Sequence, residues 1–329
     1  MTDVALYFTA PETVERRPIT VGSPDPSELL VETRASAISA GTELLIYRDE
    51  MPAGFSADET LDALDGELSY PISYGYAATG TVTDVGRDVD GSWLGRTVFA
   101  FVPHQTRFRA DPDAVVPLPE EMDPGTGALL PSVETATNVV LDAAPRIGGR
   151  VVVFGAGVIG LCTTRLLSSF PLADLVAVDP IGHRRELALQ MGADRVTTPA
   201  DLTGAVEDAD LAVELSGQPS ALDDALAVVG YDGRIVVGSW YGTKRAPIDL
   251  GGRFHRDRID IVSSQVSTIS PELRGRWSRD RRLDTATDWL ERIDAAELIS
   301  HRVPFERASE AYELLDSKRD DPVQVVFEY

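Results

Sequence analysis

Residues 38–47, Ile-Ser-Ala-Gly-Thr-Glu-Leu-Leu-Ile-Tyr, set a small turn (Ala40-Gly41) before a hydroxyl (Thr42) and a carboxylate (Glu43), with an apolar run behind them. That layout suits a loop feeding a helix and presenting polar groups at its start. No thiol or imidazole stands in it. Glu43 can orient Thr42 or make a local salt link. His104, one of four histidines, follows Pro103 in an apolar segment. An imidazole titrates near neutral pH and can serve as general acid or base, although a lone histidine serves as readily as a structural hydrogen-bonder.

A second constellation is more specific. Gly155-Ala156-Gly157-Val158-Ile159-Gly160 follows the apolar run Val151–Phe154 directly. The first glycine of such a pattern permits a tight turn, the second lets backbone approach a pyrophosphate, and the third lets helix and strand pack closely. The helix that follows offers free N–H groups and a positive dipole end to an anion. Asp179 stands 19 residues after Gly160, at the end of the next apolar run, where a carboxylate can accept ribose hydroxyls. It would repel a 2′-phosphate, so NAD is favoured over NADP. Arg184 and Arg185 lie just beyond and soften that preference.

These groups need elements to position them. Up to about residue 120 the chain has short β-rich runs broken by Gly and Pro, such as "LLVETRASAIS", "GYAATGTVTDVG" and "GRTVFAFV"; they predict a barrel-like domain. From about residue 125, buried strands alternate with helical patterns: "RVVVFGAGVIGLCTTRLLSSF", "LVAVD", "IGHRRELALQMGA", "LAVELSG", "SALDDALAVVG", "GRIVVGS". That alternation predicts α/β architecture with a doubly wound parallel sheet. Residues 300–329 read as a helix and an edge strand that return to the first domain. The expected domains are therefore 1–122, 123–299 and 300–329.

The 329 residues hold 30 basic and 53 acidic groups, a net charge of −23, and only two lysines, Lys244 and Lys318. An acidic, lysine-poor surface repels nucleic acid and anionic membranes. Its self-repulsion is relieved by salt, which points to a halophile's cytoplasm. The one cysteine, Cys162, excludes a disulfide within the chain and sits among leucines as a packing residue. Met1–Ala10 lacks a basic start followed by an apolar core, so no signal peptide is expected, and no apolar run approaches the roughly 20 residues of a membrane span. Against the prevailing charge stand Arg107 and Arg109, Arg253, Arg256 and Arg258, and Arg274, Arg276, Arg279, Arg281 and Arg282. Arginine grips carboxylate and phosphate bidentately. These groups can draw in an anionic substrate, or they can pair with acids of the chain or of a second subunit.

Together, Ala40-Gly41-Thr42-Glu43, "YGYAATGTVTDVG", "VVVFGAGVIGL", "ELSG" and "GRIVVGS" resemble the medium-chain dehydrogenase/reductase superfamily over essentially the whole chain. "ISAGTELL", "VFAFVPHQTRF" and "SSQVS" resemble its branch named for bacteriochlorophyllide a (hydroxyethyl) dehydrogenase, among the zinc-type alcohol-dehydrogenase-like proteins. The resemblance implies a GroES-like catalytic domain joined to a Rossmann domain, a homodimer, and a small-molecule substrate bound between the domains. It makes Thr42 the hydroxyl that passes protons toward the nicotinamide ribose. It places Thr135 at the nicotinamide. Further cofactor positions fall at Ser216 and Gly217, at Val237, Gly238 and Ser239, and at Ser264 and Gln265. Trp240-Tyr241 falls where relatives line the nicotinamide pocket and suggests a large or planar substrate.

The departures from the pattern carry equal weight. Ala40 stands where zinc relatives have cysteine, Tyr76 where they have histidine, and Pro131-Ser132 near the third ligand. None of these residue types binds Zn²⁺ well. The four-cysteine structural zinc lobe is also missing. A zinc-free member is therefore expected, with Thr42, Glu43, Tyr76, His104 and Glu134 as the candidate catalytic groups. A relocated metal site of Glu43, His104 and Glu134 is the alternative. The Tyr76 phenol can replace the metal as proton donor or simply fill its space, and Glu134 can equally be an N-terminal helix carboxylate. The expected reaction is hydride transfer between nicotinamide and a secondary alcohol or ketone. Quinone or enoyl reduction is the second expectation, and a non-catalytic NAD(P)H-binding protein the third.

Overall fold

The computed structural model describes residues 2–52, 54 and 68–329. The chain divides into two compact units, Met1–Pro131 with Asp294–Tyr329, and Ser132–Ile293. Residues 123–131 and 294–299 thus fold with the first unit, beyond the boundaries expected from sequence. Local bonds hold them there: Thr79 Oγ1 donates to the Pro124 carbonyl at 2.8 Å, and Arg302 to Asp123 at 2.7 Å.

The first unit begins with the antiparallel pair β1 (Asp3–Ala10) and β2 (Thr13–Ile19). Then come β3 (Leu29–Ala37), α1 (Ala40–Tyr47), β4 (Ala78–Val85), β5 (Thr97–Ala100), β6 (Arg107–Ala110), β7 (Val115–Pro117) and α2 (Pro124–Gly127). The chain continues through α3 (Leu130–Ala143), near whose start the second unit begins.

That unit is an alternation: β8 (Arg150–Phe154), α4 (Val158–Leu167), β9 (Asp174–Val178), α5 (Gly182–Gln190), β10 (Arg195–Thr197), α6 (Leu202–Ala205), β11 (Ala209–Glu214), α7 (Ala221–Val228), β12 (Val229–Val237), β13 (Asp260–Ser263) and α8 (Arg279–Leu290). Its six strands run parallel in the order β10-β9-β8-β11-β12-β13. Strands covered by helices on both faces read as continuous apolar runs; Val151–Phe154 and Leu175–Val178 are buried residue by residue. Strand order reverses between β8 and β11, and such a switch point is where this architecture binds ligands. The doubly wound sheet expected from the alternating periods is therefore present.

The chain then re-enters the first unit as β14 (Ile299–Pro304), α9 (Ala308–Ser317) and β15 (Gln324–Glu328). The larger sheet there runs β14-β15-β3-β4-β5-β7, with β6 also paired to β3. β15 is interior, between β14 and β3, and β14 takes the edge. The helix and edge strand expected within residues 300–329 are thus α9 and β14, and β15 is a further, interior strand. The run Val323–Phe327 is buried at every position, as an interior strand requires. The core beneath gathers Leu6, Phe8, Ile38, Tyr47, Tyr312 and Phe327. Tyr312 meets Phe8 edge-on at 5.2 Å and stacks on Tyr47 at 5.5 Å.

In the glycine turn after β8, Gly155 and Gly160 are sterically closed to other residues. Gly155 has φ +92°, and a Cβ on Gly160 would lie 1.8 Å from the Gly155 carbonyl oxygen. Gly160→Ala should therefore destabilise the chain by at least the roughly 1–3 kcal/mol of an overpacked core. The check is the urea midpoint, and a wild-type midpoint would show that the turn yields freely.

Candidate active site

Glu43 lies in the first turn of α1 and has no exposed surface. A carboxylate removed from water is costly unless its lone pairs find donors. Three do so here. The Ser39 backbone N–H donates to Oε1 at 2.7 Å; His104 Nε2 stands 3.1 Å and the Tyr312 hydroxyl 2.5 Å from Oε2. The donors come from the residue before α1, the segment after β5, and α9. His104 is equally sealed, with Nδ1 2.6 Å from Ser36 Oγ, which lies 2.8 Å from the Tyr329 hydroxyl. A ring protonated at Nε2 donates to Glu43 and leaves Nδ1 to accept from Ser36, whose oxygen then accepts from Tyr329. Every group in the line is satisfied. Burial, then the Glu43 charge, holds the Tyr312 phenol well above its usual 10, so it is a neutral donor.

The backbone is shaped around this cluster. Gly75 has φ +112°, and a Cβ there would stand 2.6 Å from His104 Cδ2. The His104 N–H donates to the Tyr74 carbonyl, and its own carbonyl accepts from Leu6 N–H at 2.9 Å. Phe327 packs edge-on against the imidazole at 5.1 Å. Tyr76 and Thr42 are half-buried. The Tyr76 hydroxyl donates to Ser39 Oγ in a short bond. Of the residues named from sequence, Glu43 and Tyr76 thus meet at Ser39, and His104 joins them through Glu43. Ser36 and Ser39 went unnamed as ordinary hydroxyls beside the loop, and Tyr312 and Tyr329 because they lie far from it in sequence.

Glu134 and Thr135 belong to the second unit. Glu134 Oε1 accepts Arg282 Nε at 3.1 Å and Nη2 at 2.8 Å, and Arg282 is 1% exposed. Burial pushes the Glu134 carboxyl upward, against the pull of Arg282. Arg282 also donates to Asn138 Oδ1 at 2.7 Å. Other arginines are likewise engaged within the chain: Arg107 with Asp3, Arg109 with Asp25 and Glu28, Arg253 with Asp257, Arg258 with Asp232. Cys162 is wholly buried, and desolvation lifts its thiol to about 12, as fits a packing residue.

The nucleotide constellation forms at the carboxyl ends of the parallel strands. Asp179, after β9, accepts Ala156 N–H and Ile181 N–H at 2.8 Å each, one on either oxygen. Each oxygen keeps a lone pair for a ribose hydroxyl. Arg185 donates to the Asp179 carbonyl at 2.7 Å, and Arg184 Nη1 would lie 4.0 Å from a Cβ on Gly157. Gly157 caps α4 without a side chain over the helix's free N–H groups. Across the switch point, the buried Glu214 accepts from Ser216 N–H at 2.7 Å and from the Tyr241 hydroxyl at 2.5 Å. Ser239 Oγ accepts Gly217 N–H at 2.9 Å, and Gly238 N–H donates to the Glu214 carbonyl at 3.0 Å. The turns after β11 and β12, with Val237 at the end of β12, are thus stitched together. Ser264 and Gln265 follow β13. Glu214 and Tyr241 are the fasteners that sequence reading missed as such. Trp240 is 41% exposed. The residues present fit a dinucleotide.

They do not fit the zinc of metal-dependent relatives. Ala40 and Tyr76 offer no ligand, and Glu43 and His104 are engaged with each other. Among the described residues no group of three or more His, Cys, Asp or Glu is placed to hold a metal. Nor, among them, is any helix long and apolar enough to cross a membrane.

A family profile described as zinc-binding dehydrogenase matches residues 158–280. D-guloside 3-dehydrogenase of Escherichia coli K12 is 26% identical over 309 residues, covering 87% of this chain and 88% of that protein. L-threonine 3-dehydrogenase of Bacillus subtilis 168 is 25% identical, covering 89% of each. A crystal structure of an alcohol dehydrogenase from E. coli CFT073, complexed with NADH, superposes with TM-score 0.78 over all of both chains at 17% identity, a shared fold. Sequence and fold alike are thus similar to the medium-chain, zinc-type alcohol-dehydrogenase-like proteins.

Tyr312→Phe removes one donor from a buried carboxylate and should cost about 1–3 kcal/mol. The same phenol gives a pH signature. Its folded pKa is raised, so the stability it contributes is complete below 10 and is lost as pH climbs beyond. The urea midpoint should therefore fall less steeply above pH 10 in Tyr312→Phe than in wild type. Identical slopes would place the phenol outside the folding equilibrium.

Proposed function

We propose that this chain is a nicotinamide-dependent oxidoreductase of the medium-chain type that interconverts a secondary alcohol and a ketone without a catalytic zinc. The observation that carries the reading is the glycine turn at the sheet's switch point, with the Asp179 carboxylate hydrogen-bonded to its Ala156 N–H. NAD, favoured over NADP by that carboxylate, supplies the hydride acceptor when bound. Asp179 would take the adenosine ribose, and the α4 N-terminus the pyrophosphate. Both curated relatives are named for oxidation at carbon 3, a secondary position in either molecule. That supports alcohol chemistry over the reduction of an activated C=C.

The proton chemistry follows from accessibility. Glu43 and His104 have no exposed surface, so neither can touch a substrate. The half-buried Tyr76 hydroxyl, backed by Ser39, and the Thr42 hydroxyl are the groups able to exchange a proton with an alcohol oxygen. Ser39 joins Glu43 to Tyr76 through its backbone N–H on one side and its hydroxyl on the other; a backbone N–H relays no proton, and in this reading Glu43 and His104 act as positioning residues. Glu134 serves as the partner of Arg282. The substitutions at Ala40, Tyr76 and Pro131-Ser132 support zinc independence. The acidic surface supports a halophilic, cytoplasmic setting, and β13, an edge of the six-stranded sheet, supports a homodimer.

Fluorescence titration with NADH and NADPH in molar KCl tests the cofactor reading; folded protein that binds neither overturns it. Zinc content after dialysis against zinc tests metal independence, and one stoichiometric zinc would refute it. With butane-2,3-diol and NAD as probe, Tyr76→Phe should lower kcat by the roughly 10²-fold or more lost with a general acid and leave NADH affinity unchanged. An unchanged kcat would remove Tyr76 from the chemistry.

A further inference from the structure

We propose that Asn138 and Asp142 of α3, backed by Arg282 and Glu134, are positioning residues that set the turn at Ser264–Thr268 for the nicotinamide half of a bound dinucleotide. The inference rests on the nucleotide reading above and concerns only how this unit shapes its own site.

The turn is gripped at both ends. At its start, Ser264 Oγ donates to Asp142 Oδ2 at 2.7 Å, and Asn138 Nδ2 bridges the two, 3.0 Å from Ser264 Oγ and 2.9 Å from Asp142 Oδ2. At its far end, Arg282 Nη1 donates to the Thr268 carbonyl at 3.3 Å. The same Nη1 holds Asn138 Oδ1, so one guanidinium ties both grips together. Glu134 compensates the buried guanidinium charge. Between the grips, Ser267 N–H donates to Gln265 Oε1 at 2.7 Å, and Ser264 N–H to the Val237 carbonyl at 2.8 Å. Gln265 is left exposed at the crown.

Placement gives the network its purpose. The glycine turn follows β8 and Asp179 follows β9, so the adenosine half belongs on that side of the switch point. β11, β12 and β13 lie on the other side, and the Ser264 turn leaves the carboxyl end of β13. A dinucleotide stretched across the switch point brings its nicotinamide half to that side. A packed core would support β13 without polar groups. A wholly buried arginine joining Glu134, Asn138 and a turn carbonyl is costly to desolvate, and it fixes a turn whose crown faces outward.

The full-length protein is titrated with NADH by fluorescence and with ADP-ribose by calorimetry, in wild type, Ser264→Ala and Asp142→Asn. Both variants should bind NADH about five- to tenfold more weakly, the ratio that follows from one lost hydrogen bond, with ADP-ribose affinity unchanged. Proportional weakening of both ligands, which general destabilisation would produce, overturns the proposal. So does NADH affinity at the wild-type level in a folded variant. Ser264→Ala removes a single hydroxyl from a partly exposed turn, so it reads the effect even if Asp142→Asn does not fold. Wild-type protein that binds neither ligand refutes the nucleotide reading itself, a result distinct from either variant outcome.

Discussion

A carboxylate with no contact to water governs the first unit. Glu43 can stay inside only because donors reach it from Ser39, His104 and Tyr312. Each donor constrains a different piece of chain. Ser39 fixes the start of α1. His104 needs the Cβ-free space at Gly75. Tyr312 must be delivered by α9, so residues 294–329 have to return and insert β15 beside β3. The cost of a buried charge without partners exceeds that of any single hydrogen bond, so the satisfied cluster accounts for the way distant segments converge.

The second unit meets the same problem repeatedly. Asp179 and Glu214 stand at the carboxyl ends of β9 and β11, and each is held by backbone N–H groups of the turn it stabilises. Glu134 and Asp142 on α3 are satisfied by Arg282, Asn138 and Ser264. Against a net charge of −23, these interior acids serve as anchors for turns. The turns so anchored are those that ring the switch point of the sheet, where the architecture takes its ligand. Outside that ring, Arg107, Arg109, Arg253 and Arg258 pair with acids of the chain. Those four are therefore not free to draw in an anionic substrate.

The polar groups near Ser39 separate into an accessible layer and a buried one. Tyr76, Ser39 and Thr42 carry hydroxyls at half-buried positions, whereas Glu43 and His104 lie wholly beneath them. In a metal enzyme the cation both polarises oxygen and organises its ligands; on the zinc-free reading proposed above, the organising task would fall to the internal carboxylate–imidazole pair. On the same reading, polarity behind the accessible hydroxyls would fix their positions without ionic groups in contact with substrate.

Local pattern determined much of this protein. The period change near residue 125 marks where strand–helix alternation begins, because strand and helix impose different spacings on apolar residues. The glycine turn with Asp179 was legible because backbone sterics demand glycine at 155 and 160, and a carboxylate at 179 can accept the backbone N–H groups of Ala156 and Ile181. The ligand substitutions at Ala40 and Tyr76 were legible as residue types alone. Tertiary structure decided the rest. It made β15 an interior strand, because burial on both faces depends on neighbours that the strand's own residues do not identify. It gave Glu134 to Arg282, 148 positions away, and Glu43 to Tyr312, 269 positions away. Hydrogen bonds are satisfied by distance in space, which a fold sets and local sequence does not, so the partners of the buried acids emerged only with the structure.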